Sequence, residues 1–366
     1  MALKQSPLHD RHVALGAKFA EFGGWEMPLE YPAGVIKEHT AVRDGVGIFD
    51  VSHLGKVVVR GAGAQEYVDA TLSNSLGKIG PGKAQYTLCC DDATGGIVDD
   101  LIVYLLDDDH LLLVPNAANP AEVVRRLEAG KPDSVTITDH HETHAVIAVQ
   151  GTRSDEVLDA VGLPTGHAYM SFVQHPHDGE VVVDCRTGYT GERGYELIVP
   201  NAAAASLWDA LMEAGEQHGI QPCGLGARDT LRTEMGYPLH GQDISLKVTP
   251  NQARLGWAVG WDKPAFWGRD ALVAEKAAGV TVRLNGLVAA GRGIARPGMQ
   301  VMLTRDFAAG EVTSGTFSPT LGKGLALELL KHQIADGAEV IVDVRGRPET
   351  FVVTRPPFVT PEVKES

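Results

Sequence analysis

A glycine-rich stretch in the middle of the chain, Arg186–Glu196, constrains the fold more than any other feature. Its three glycines recur at every third position, and glycine adopts the backbone conformations that a tight connection requires. The run Val181–Val183 before the stretch and the run Tyr195–Val199 after it both favour strands. A plain turn does not need the Tyr and Glu side chains that alternate with these glycines. The pattern therefore predicts a binding loop that joins two strands.

The second of these strands carries a carboxylate beside aliphatic neighbours. Because side chains alternate along a strand, Glu196 and Ile198 are expected on the face opposite Tyr195. Taken alone, the pattern also fits a simple hairpin with an exposed glutamate. Other parts of the chain must therefore decide whether Glu196 has a function.

A second strand-like segment, Gly95–Tyr104, is apolar except for two consecutive acids, Asp99 and Asp100. Alternation predicts that these acids point to opposite faces, with Asp100 on the face of Val98 and Tyr104. One carboxylate is then carried into an apolar environment, where it must find hydrogen-bond donors or titrate abnormally. The simpler alternative is an acid near a strand end whose donors are the backbone amides of the preceding glycine turn.

A series of short motifs follows in a fixed order along almost the whole chain. They are Trp25–Pro28, Phe49–Gly55, the Asp99–Asp100 strand, Arg186–Glu196, Pro222–Arg232, Leu255–Trp257, Phe266–Arg269, Val312–Gly315 and Ser318–Gly324. Their order and spacing resemble those of the aminomethyltransferases, the T-proteins of the glycine cleavage system. One such motif is weak evidence, but the ordered set is specific.

The resemblance implies an α+β fold in which three domains form a cloverleaf around a central folate cavity. It assigns residues 1–50 and 140–250 to a discontinuous first domain, 51–139 to an inserted second domain, and 251–366 to a linker and a C-terminal all-β barrel-like domain. The residue pattern alone predicts only the last of these. Beyond Val280, glycine or proline recurs every ~8 to 12 residues, which is typical of a small β-barrel or sandwich.

Composition limits the class of protein and its partners. A chain of 366 residues predicts two or three domains, and its net charge of -15 argues against nucleic acid as a partner. The four cysteines have the spacing of neither a disulfide framework nor a zinc site. The amino terminus has no signal or transit pattern, and no apolar run is long enough for a membrane span. We expect a cytoplasmic protein that is monomeric on its own.

The resemblance also implies the reaction. A one-carbon unit passes from an aminomethyl group on the lipoyl arm of the carrier H-protein to tetrahydrofolate, which releases ammonia and the dihydrolipoyl carrier. This chemistry needs no metal, flavin or nicotinamide. The Walker-like string Gly77–Ala84 ends in Ala where a magnesium-binding hydroxyl should be, which favours a surface turn. The run of His140, His141 and His144 is expected to be a solvated loop, not a metal site.

Residue roles follow from the same resemblance. Asp100 is implied to be the catalytic carboxylate, which could orient N10 of the folate, stabilise positive charge or assist proton transfer. Glu196 is expected to accept hydrogen bonds from the 2-amino group and N3–H of the pterin. The other residues implied to bind folate are Arg228, Tyr189, Tyr86, Tyr104 and Tyr237. For Tyr86 and Tyr104, an ordinary core position is the alternative.

Further expectations concern the surroundings of these residues. The run Arg228–Met235 predicts a helix that Gly236 ends, and a salt bridge from Arg228 to a neighbouring acid is the alternative to a ligand contact. His53 is expected to be a structural hydrogen-bonding residue near the cavity. The tail 358–366 lacks the tyrosine that relatives place there, which puts any contribution of the tail to folate binding in doubt.

Two other functions remain open from sequence. One is the folate domain of a dimethylglycine- or sarcosine-oxidising system, although no dinucleotide-binding unit precedes the matching region. The other is a non-enzymatic folate-binding protein that supports iron-sulfur cluster assembly. Such proteins carry a Lys-Gly-Cys-Tyr-x-Gly-Gln-Glu motif, and the glycine loop here has neither that Cys nor that Lys.

Overall fold

The computed structural model describes residues 2–304, 307–331, 333–360 and 363, which fold into a mixture of strands and helices. The strands are β1 (Lys4–Gln5), β2 (Lys18–Phe22), β3 (Trp25–Glu30), β4 (Gly47–Asp50), β5 (Val57–Arg60), β6 (Lys83–Cys90), β7 (Ile97–Asp107), β8 (His110–Val114), β9 (Thr136–Asp139), β10 (His144–Gln150), β11 (Phe172–His177), β12 (Glu180–Cys185), β13 (Gly194–Pro200), β14 (Gln221–Pro222), β15 (Val282–Ala289), β16 (Gln300–Thr304), β17 (Phe307–Ser318), β18 (Lys323–Lys331), β19 (Glu339–Asp343) and β20 (Pro348–Thr354).

The helices lie mostly in the first two thirds of the chain. They are α1 (His9–Ala14), α2 (Val35–Asp44), α3 (Ala64–Thr71), α4 (Pro120–Gly130), α5 (Ser154–Ala160), α6 (Asn201–Gly215), α7 (Leu225–Met235) and α8 (Arg269–Ala278), with 3-10 turns at Leu76–Lys78, Glu216–His218 and Gly256–Ala258. Within the part of the chain that the structure describes, none of these helices is long and apolar enough to cross a membrane.

A six-stranded sheet in the order β11-β12-β13-β10-β4-β14 carries the glycine loop, which joins β12 to β13. Both faces of the sheet are covered, so the apolar residues of β13 serve two cores. Tyr195 and Leu197 pack into one core with α6, whereas Ile198 packs into the other. This confirms the alternation predicted for this strand, and it turns Glu196 to the face of Ile198.

A five-stranded sheet in the order β6-β7-β8-β5-β9 contains the strand with the two acids, β7. A register shift opposite Cys89 and Cys90 makes Val98 an extra residue in the β6–β7 pair. Val98 consequently packs in the core of Leu101, on the face of Asp99, whereas Ile97 joins a different core. The prediction that Asp100 shares its face with Val98 is therefore wrong, although Tyr104 does lie with Ile102 on the face of Asp100.

The last six strands close into a barrel in the order β15-β18-β17-β16-β19-β20. Its interior is filled by aliphatic side chains with Phe351, as alternation along each strand requires. A separate three-stranded sheet, β1-β3-β2, lies near the amino terminus. The predicted α+β class with a C-terminal barrel is confirmed.

Sheet membership supports a division of the chain into domains. Strand β4 precedes the five-stranded sheet in sequence and strands β10 to β14 follow it, yet all of them belong to the six-stranded sheet. On this basis we propose the three domains predicted from sequence, with 51–139 inserted into a first domain made of 1–50 and 140–250, and with 251–366 last.

Helix α7 begins one turn earlier than its sequence predicts. Gly224 is extended at its start, and the backbone N–H of Gly224 donates to the buried Glu38 at 2.9 Å. The first amides of a helix have no acceptor within the helix, and here the Glu38 carboxylate accepts one of them. The first helical residue is therefore Leu225, and Arg228 lies at the end of the first turn. The helix ends as predicted, with Gly236 in the left-handed conformation at φ 68°.

Candidate functional site

A cavity of about 770 Å³ lies where the two larger sheets, helix α7 and the barrel meet. This volume is in the range of sites for small organic ligands. The residues implied to bind folate or catalyse transfer all contribute to its wall, namely Asp100, Glu196, Arg228, Tyr189, Tyr86, Tyr104 and Tyr237. Elements far apart in sequence thus bring the seven side chains to one place.

Asp100 faces the cavity from strand β7 and accepts hydrogen bonds from neutral donors. The hydroxyl of Tyr86 donates to Oδ2 of Asp100 at 3.0 Å, and the side-chain amide of Asn116 donates to Oδ1 at 2.8 Å. Burial raises the pKa of Asp100. No lysine or arginine forms an ion pair with Asp100 among the described residues, but the positive charge of nearby His240 acts to lower the pKa of Asp100.

The two adjacent acids meet at the same asparagine. Asp99 is fully buried and receives the backbone N–H of Asn116 at 3.0 Å, the side-chain amide of Asn116 at 3.0 Å and that of Asn119 at 2.7 Å. The donors therefore follow strand β8, and the suggestion that the Gly95–Gly96 turn supplies them is wrong. Burial and then the charge of Asp100 raise the pKa of Asp99.

Glu196 faces the same cavity through a chain of hydroxyl groups. The Thr187 hydroxyl has a single hydrogen and lies 2.5 Å from Oε2 of Glu196, to which it donates. It must therefore accept from the Tyr104 hydroxyl, which lies 3.1 Å away. The other oxygen of Glu196 can still accept hydrogen bonds. Tyr104 is buried and belongs both to this series of hydroxyl groups and to the core.

Arg228 is a half-buried cation near Glu196. Its guanidinium lies 4.7 Å from the centre of the Tyr189 ring, and it forms no hydrogen bond or ion pair with any described residue. The neighbouring acids pair elsewhere, since Asp229 binds Arg232 and Glu234 binds Arg43. The alternative of a local salt bridge is therefore wrong for Arg228. Burial lowers its pKa, although the charge of Glu196 opposes this.

Aromatic side chains form two stacked pairs in the wall. Tyr189 stacks on Tyr237 at 5.6 Å between ring centres and donates its hydroxyl to the carbonyl of Pro238 at 2.5 Å. Tyr86 stacks on Trp257 at 5.3 Å, and Trp257 is 63% exposed. Aromatic rings with one solvent-exposed edge suit the binding of a planar ligand at the mouth of a cavity.

Several wall residues were not predicted from sequence. They include Asn116, Thr187, Trp257, Tyr169, Arg254, Arg355 and Val363. The only signal for Asn116 was its position directly after an apolar strand. Val363 is held in place because the guanidinium of Arg186 donates to its carbonyl at 2.9 Å. The tail therefore does contribute one residue to the wall despite lacking the tyrosine of relatives.

The histidines near the site are buried and structural. His53 lies in the wall, and burial lowers its pKa to about 3. Its Nδ1 is buried without a hydrogen-bond partner, so the expected role of its side chain as a hydrogen-bonding residue is not supported. His141 donates from Nε2 to the carbonyl of His53 at 2.9 Å and is only 8% exposed. The prediction of a solvated loop is therefore wrong for His141. Among the residues described, no group of three or more potential ligands could hold a metal ion.

A group of three arginines lies at one side of the cavity. Arg254 and Arg355 belong to the wall, and Arg254 donates to the carbonyl of Leu284 at 2.7 Å. Burial and then the charges of Arg283 and Arg355 lower the pKa of Arg254, so the three side chains lie close enough to repel one another. We call these three residues the arginine cluster.

Comparisons with known proteins cover nearly the whole chain. A family model described as GCVT N-terminal domain matches residues 8–263, and one described as Glycine cleavage T-protein C-terminal barrel domain matches residues 283–360. Relatives named Aminomethyltransferase include one from Frankia alni, 61% identical over 98% of each chain. Another, from Mycobacterium leprae, is 57% identical over 99% of this chain and 98% of its own.

A solved structure has the same fold throughout. The glycine cleavage system aminomethyltransferase T from Bartonella henselae superimposes with a TM-score of 0.92 at 33% identity. The match covers 98% of this chain and 99% of that one, so the two sheets, the barrel and their connections all have counterparts.

Proposed function

The chain belongs to the glycine cleavage T-protein family of aminomethyltransferases, and from this premise we propose that the cavity bounded by Asp100, Glu196 and Arg228 is its site of one-carbon transfer. The enzyme transfers a one-carbon unit with tetrahydrofolate. One observation carries the assignment of the site: residues implied by the family motifs, from strands β6, β7 and β13 and from helix α7, line a single cavity.

The residues present fit tetrahydrofolate. The edge of a pterin presents an amino group and a ring N–H side by side, and a carboxylate accepts both at once. Glu196 has acceptor capacity left after its bond from Thr187. Arg228, which has no ionic partner among the described residues, offers donors beside it, and a half-buried guanidinium without an acceptor is costly.

The aromatic pairs fit the rest of a flat ligand. The Tyr189–Tyr237 pair lies next to Arg228, and the Tyr86–Trp257 pair lies next to Asp100. A pterin and its attached aminobenzoyl ring would be held between such faces by burial of apolar area. The aromatic rings would position the ligand, but they are uncharged and would not act on the reacting atoms.

Asp100 is the group proposed to act on the reaction. When bound, tetrahydrofolate supplies the two nitrogens between which the one-carbon unit ends. Two N–H hydrogens leave these nitrogens, one to the released ammonia and one to the carrier thiol. A carboxyl group with a raised pKa at the cavity wall can hold a proton, orient an N–H or stabilise positive charge. The hydroxyl of Tyr86 and the amide of Asn116 fix its orientation.

We propose that the lipoylated H-protein docks beside the arginine cluster. The chain has a net charge of -15 and therefore exerts no general attraction on an acidic carrier. Arg254, Arg283 and Arg355 bring three positive charges to one side of the cavity, where a carrier must present its arm, and nearby Asp336 and Glu328 offset part of this charge. Docking would then be local and weakened by salt.

The deciding experiment measures ammonia release by the purified protein. Aminomethylated H-protein is supplied with and without tetrahydrofolate, and release should require both. Tight folate binding without release would favour the non-enzymatic folate-binding function. A need for an added flavoprotein would favour the folate domain of an oxidising system. Cytoplasmic location and the monomeric state stay predictions from sequence.

A further inference from the structure

A turn at residues 168–171 holds a methionine in a backbone conformation that favours glycine. The backbone N–H of Ser171 donates to the carbonyl of Ala168 at 3.0 Å, which closes the turn. Its third residue, Met170, has a φ of 58°. Turns with a positive φ at this position ordinarily have Gly or Asn there, because a Cβ is crowded in the left-handed region. Met170 is therefore a strained residue.

The place of this strain in the molecule sets it apart. Among the described residues, four other than glycine have a positive φ, namely Met170, Asp178, Arg254 and Arg345. Asp178 and Arg345 lie in the connections between paired strands, β11 to β12 and β19 to β20, whereas Met170 and Arg254 belong to the cavity wall. Strain of this kind clusters at active sites and ligand contacts, where the surrounding structure holds it.

The backbone of Met170 connects the two larger sheets. Its N–H donates to the carbonyl of Arg186 at 3.1 Å, and its carbonyl accepts from the N–H of Ala84 at 2.8 Å. Arg186 begins the glycine loop and Ala84 lies on β6, so the turn joins the two sheets at the cavity. Glycine could form both bonds without strain. The connection therefore does not explain why this position has a side chain.

The side chain at this position faces a functional part of the molecule. Met170 contributes to the cavity wall and packs against the core that contains Phe172 and Tyr104. The preceding residue of the turn, Tyr169, also belongs to the wall, and burial and then the charge of Glu196 raise its pKa. The turn thus lies at the end of the cavity where Glu196 is.

We propose that Met170 is a ligand contact that helps to determine specificity: its thioether side chain lies against the face of the flat ring whose edge hydrogen-bonds to Glu196. This assignment rests on the proposed folate site. An unbranched thioether adapts to irregular space and makes favourable contacts with aromatic rings, and its burial against a ligand removes apolar area from water. Glycine would relieve the strain but would leave this part of the ring without a contact.

The first test compares Met170→Gly with Met170→Leu by calorimetric titration with tetrahydrofolate. Glycine keeps the turn and removes the side chain, so folate affinity should fall by about ten-fold. Leucine has a similar volume, so the affinity of Met170→Leu should stay within about three-fold of wild type. Affinity within about two-fold of wild type in folded Met170→Gly would overturn the proposal. So would equal losses in both variants, because an apolar contact tolerates leucine.

Asp178→Gly is the matched control for relief of strain. Asp178 has a φ of 49° and lies outside the cavity wall, so this variant should bind folate as wild type does. A loss of affinity in Asp178→Gly equal to that in Met170→Gly would show that relief of strain, and not loss of a contact, weakens binding.

The second test separates a ligand contact from a structural connection. Hydrogen exchange of the Ala84 amide reports the bond to residue 170 and should be as slow in Met170→Gly as in wild type. KM for tetrahydrofolate should rise while kcat stays within about two-fold of wild type. Weaker binding together with fast exchange at Ala84 would assign residue 170 to the connection alone and contradict the contact.

The proposed function is tested by separate variants. Normal folate binding by Met170→Gly alongside a loss in Glu196→Ala would overturn only the role of Met170. A wild-type protein that does not bind tetrahydrofolate would contradict the proposed function itself, and the role of Met170 with it.

Discussion

The cavity presents two carboxyl groups from different sheets, Asp100 on β7 and Glu196 on β13, and their surroundings differ in kind. Glu196 lies near the guanidinium of Arg228 and accepts from a chain of hydroxyl groups. Asp100 lies beside another acid and accepts only from an amide and a phenol. Burial raises the pKa of Asp100, so this carboxyl group takes up a proton more readily than an exposed one.

This difference supports the separate roles that we propose for Glu196 in binding and Asp100 in catalysis. A recognition group works best with a constant charge, because it must accept the same ligand hydrogens throughout the reaction. A group that assists proton transfer works best when both of its forms are accessible near the working pH. On these proposed roles, the environment, more than the residue type, distinguishes the binding group from the catalytic group.

The largest effect is expected for Asp100→Asn. The substitution keeps size and hydrogen-bonding capacity but removes the ionisable carboxyl group, which can then neither carry a charge nor exchange a proton. Turnover should therefore fall by at least ~10²-fold while folate still binds. Asp99→Asn should reduce turnover much less at its own pH optimum, since Asp99 does not face the cavity. Steady-state kinetics and folate titration of both variants, with melting temperatures as a check of folding, measure this. Equal losses in both variants, or near-normal turnover in Asp100→Asn, would contradict the catalytic role proposed for Asp100.

The next effect concerns folate binding at Glu196 and Arg228. Glu196→Ala removes the proposed acceptor of two pterin donors and should weaken folate binding by about 2 to 4 kcal/mol, and Arg228→Ala should also weaken it. Calorimetric titration compares each with wild type. Glu213→Ala, an exposed position on α6, provides the matched control. Unchanged affinity in folded Glu196→Ala would take Glu196 out of the site.

A smaller effect is expected for the carrier. Arg355→Ala should weaken the apparent affinity for H-protein several-fold at low ionic strength and hardly at all at high salt, because exposed charges are screened. Arg60→Ala, an exposed position on β5 outside the cavity wall, should have little effect in either condition. A wild-type affinity that stays flat from low to high salt would contradict docking at the arginine cluster.

The smallest effect tests a third carboxyl group, that of Asp184, whose nearest basic group is His167 with its Nε2 3.8 Å from Oδ1. Burial raises the pKa of Asp184 to about 8, and neither of its oxygens has a hydrogen-bond partner. The folded state then binds more protons than the unfolded state between about pH 4 and 8, so this residue's stabilisation is lost as pH rises through 8. Denaturant unfolding at pH 5 and pH 9 should show a smaller fall in stability for Asp184→Asn than for wild type. If stability falls equally in wild type and Asp184→Asn, burial alone does not set the titration of Asp184.

Much of the site could be predicted because short-range rules place its parts. Alternation along β13 puts Glu196 opposite Tyr195, and the glycine spacing marks the loop before it. The family motifs then name the residues of the wall. These signals depend only on neighbours in sequence, so they can be used without knowledge of the fold.

The remaining features depend on contacts between distant residues. Ile97 and Val98 are both apolar, so no pattern marks the bulge that turns Val98 to the face of Asp99. The start of α7 is set by Glu38, and the position of Val363 is set by Arg186. His141 is buried by a contact with His53. Each of these required the packed chain.

The wall of the cavity extends from Phe22 to Val363. A ribosome produces these residues in order, so Asp100 and Glu196 emerge long before the barrel that encloses them, and the earlier domains fold first. A nascent chain consequently has both carboxyl groups but no enclosed place for a ligand. A chain that stops before the barrel lacks Leu284, Leu327 and Arg355 from this wall. We therefore expect folate to stabilise such a chain less than a chain that includes the barrel.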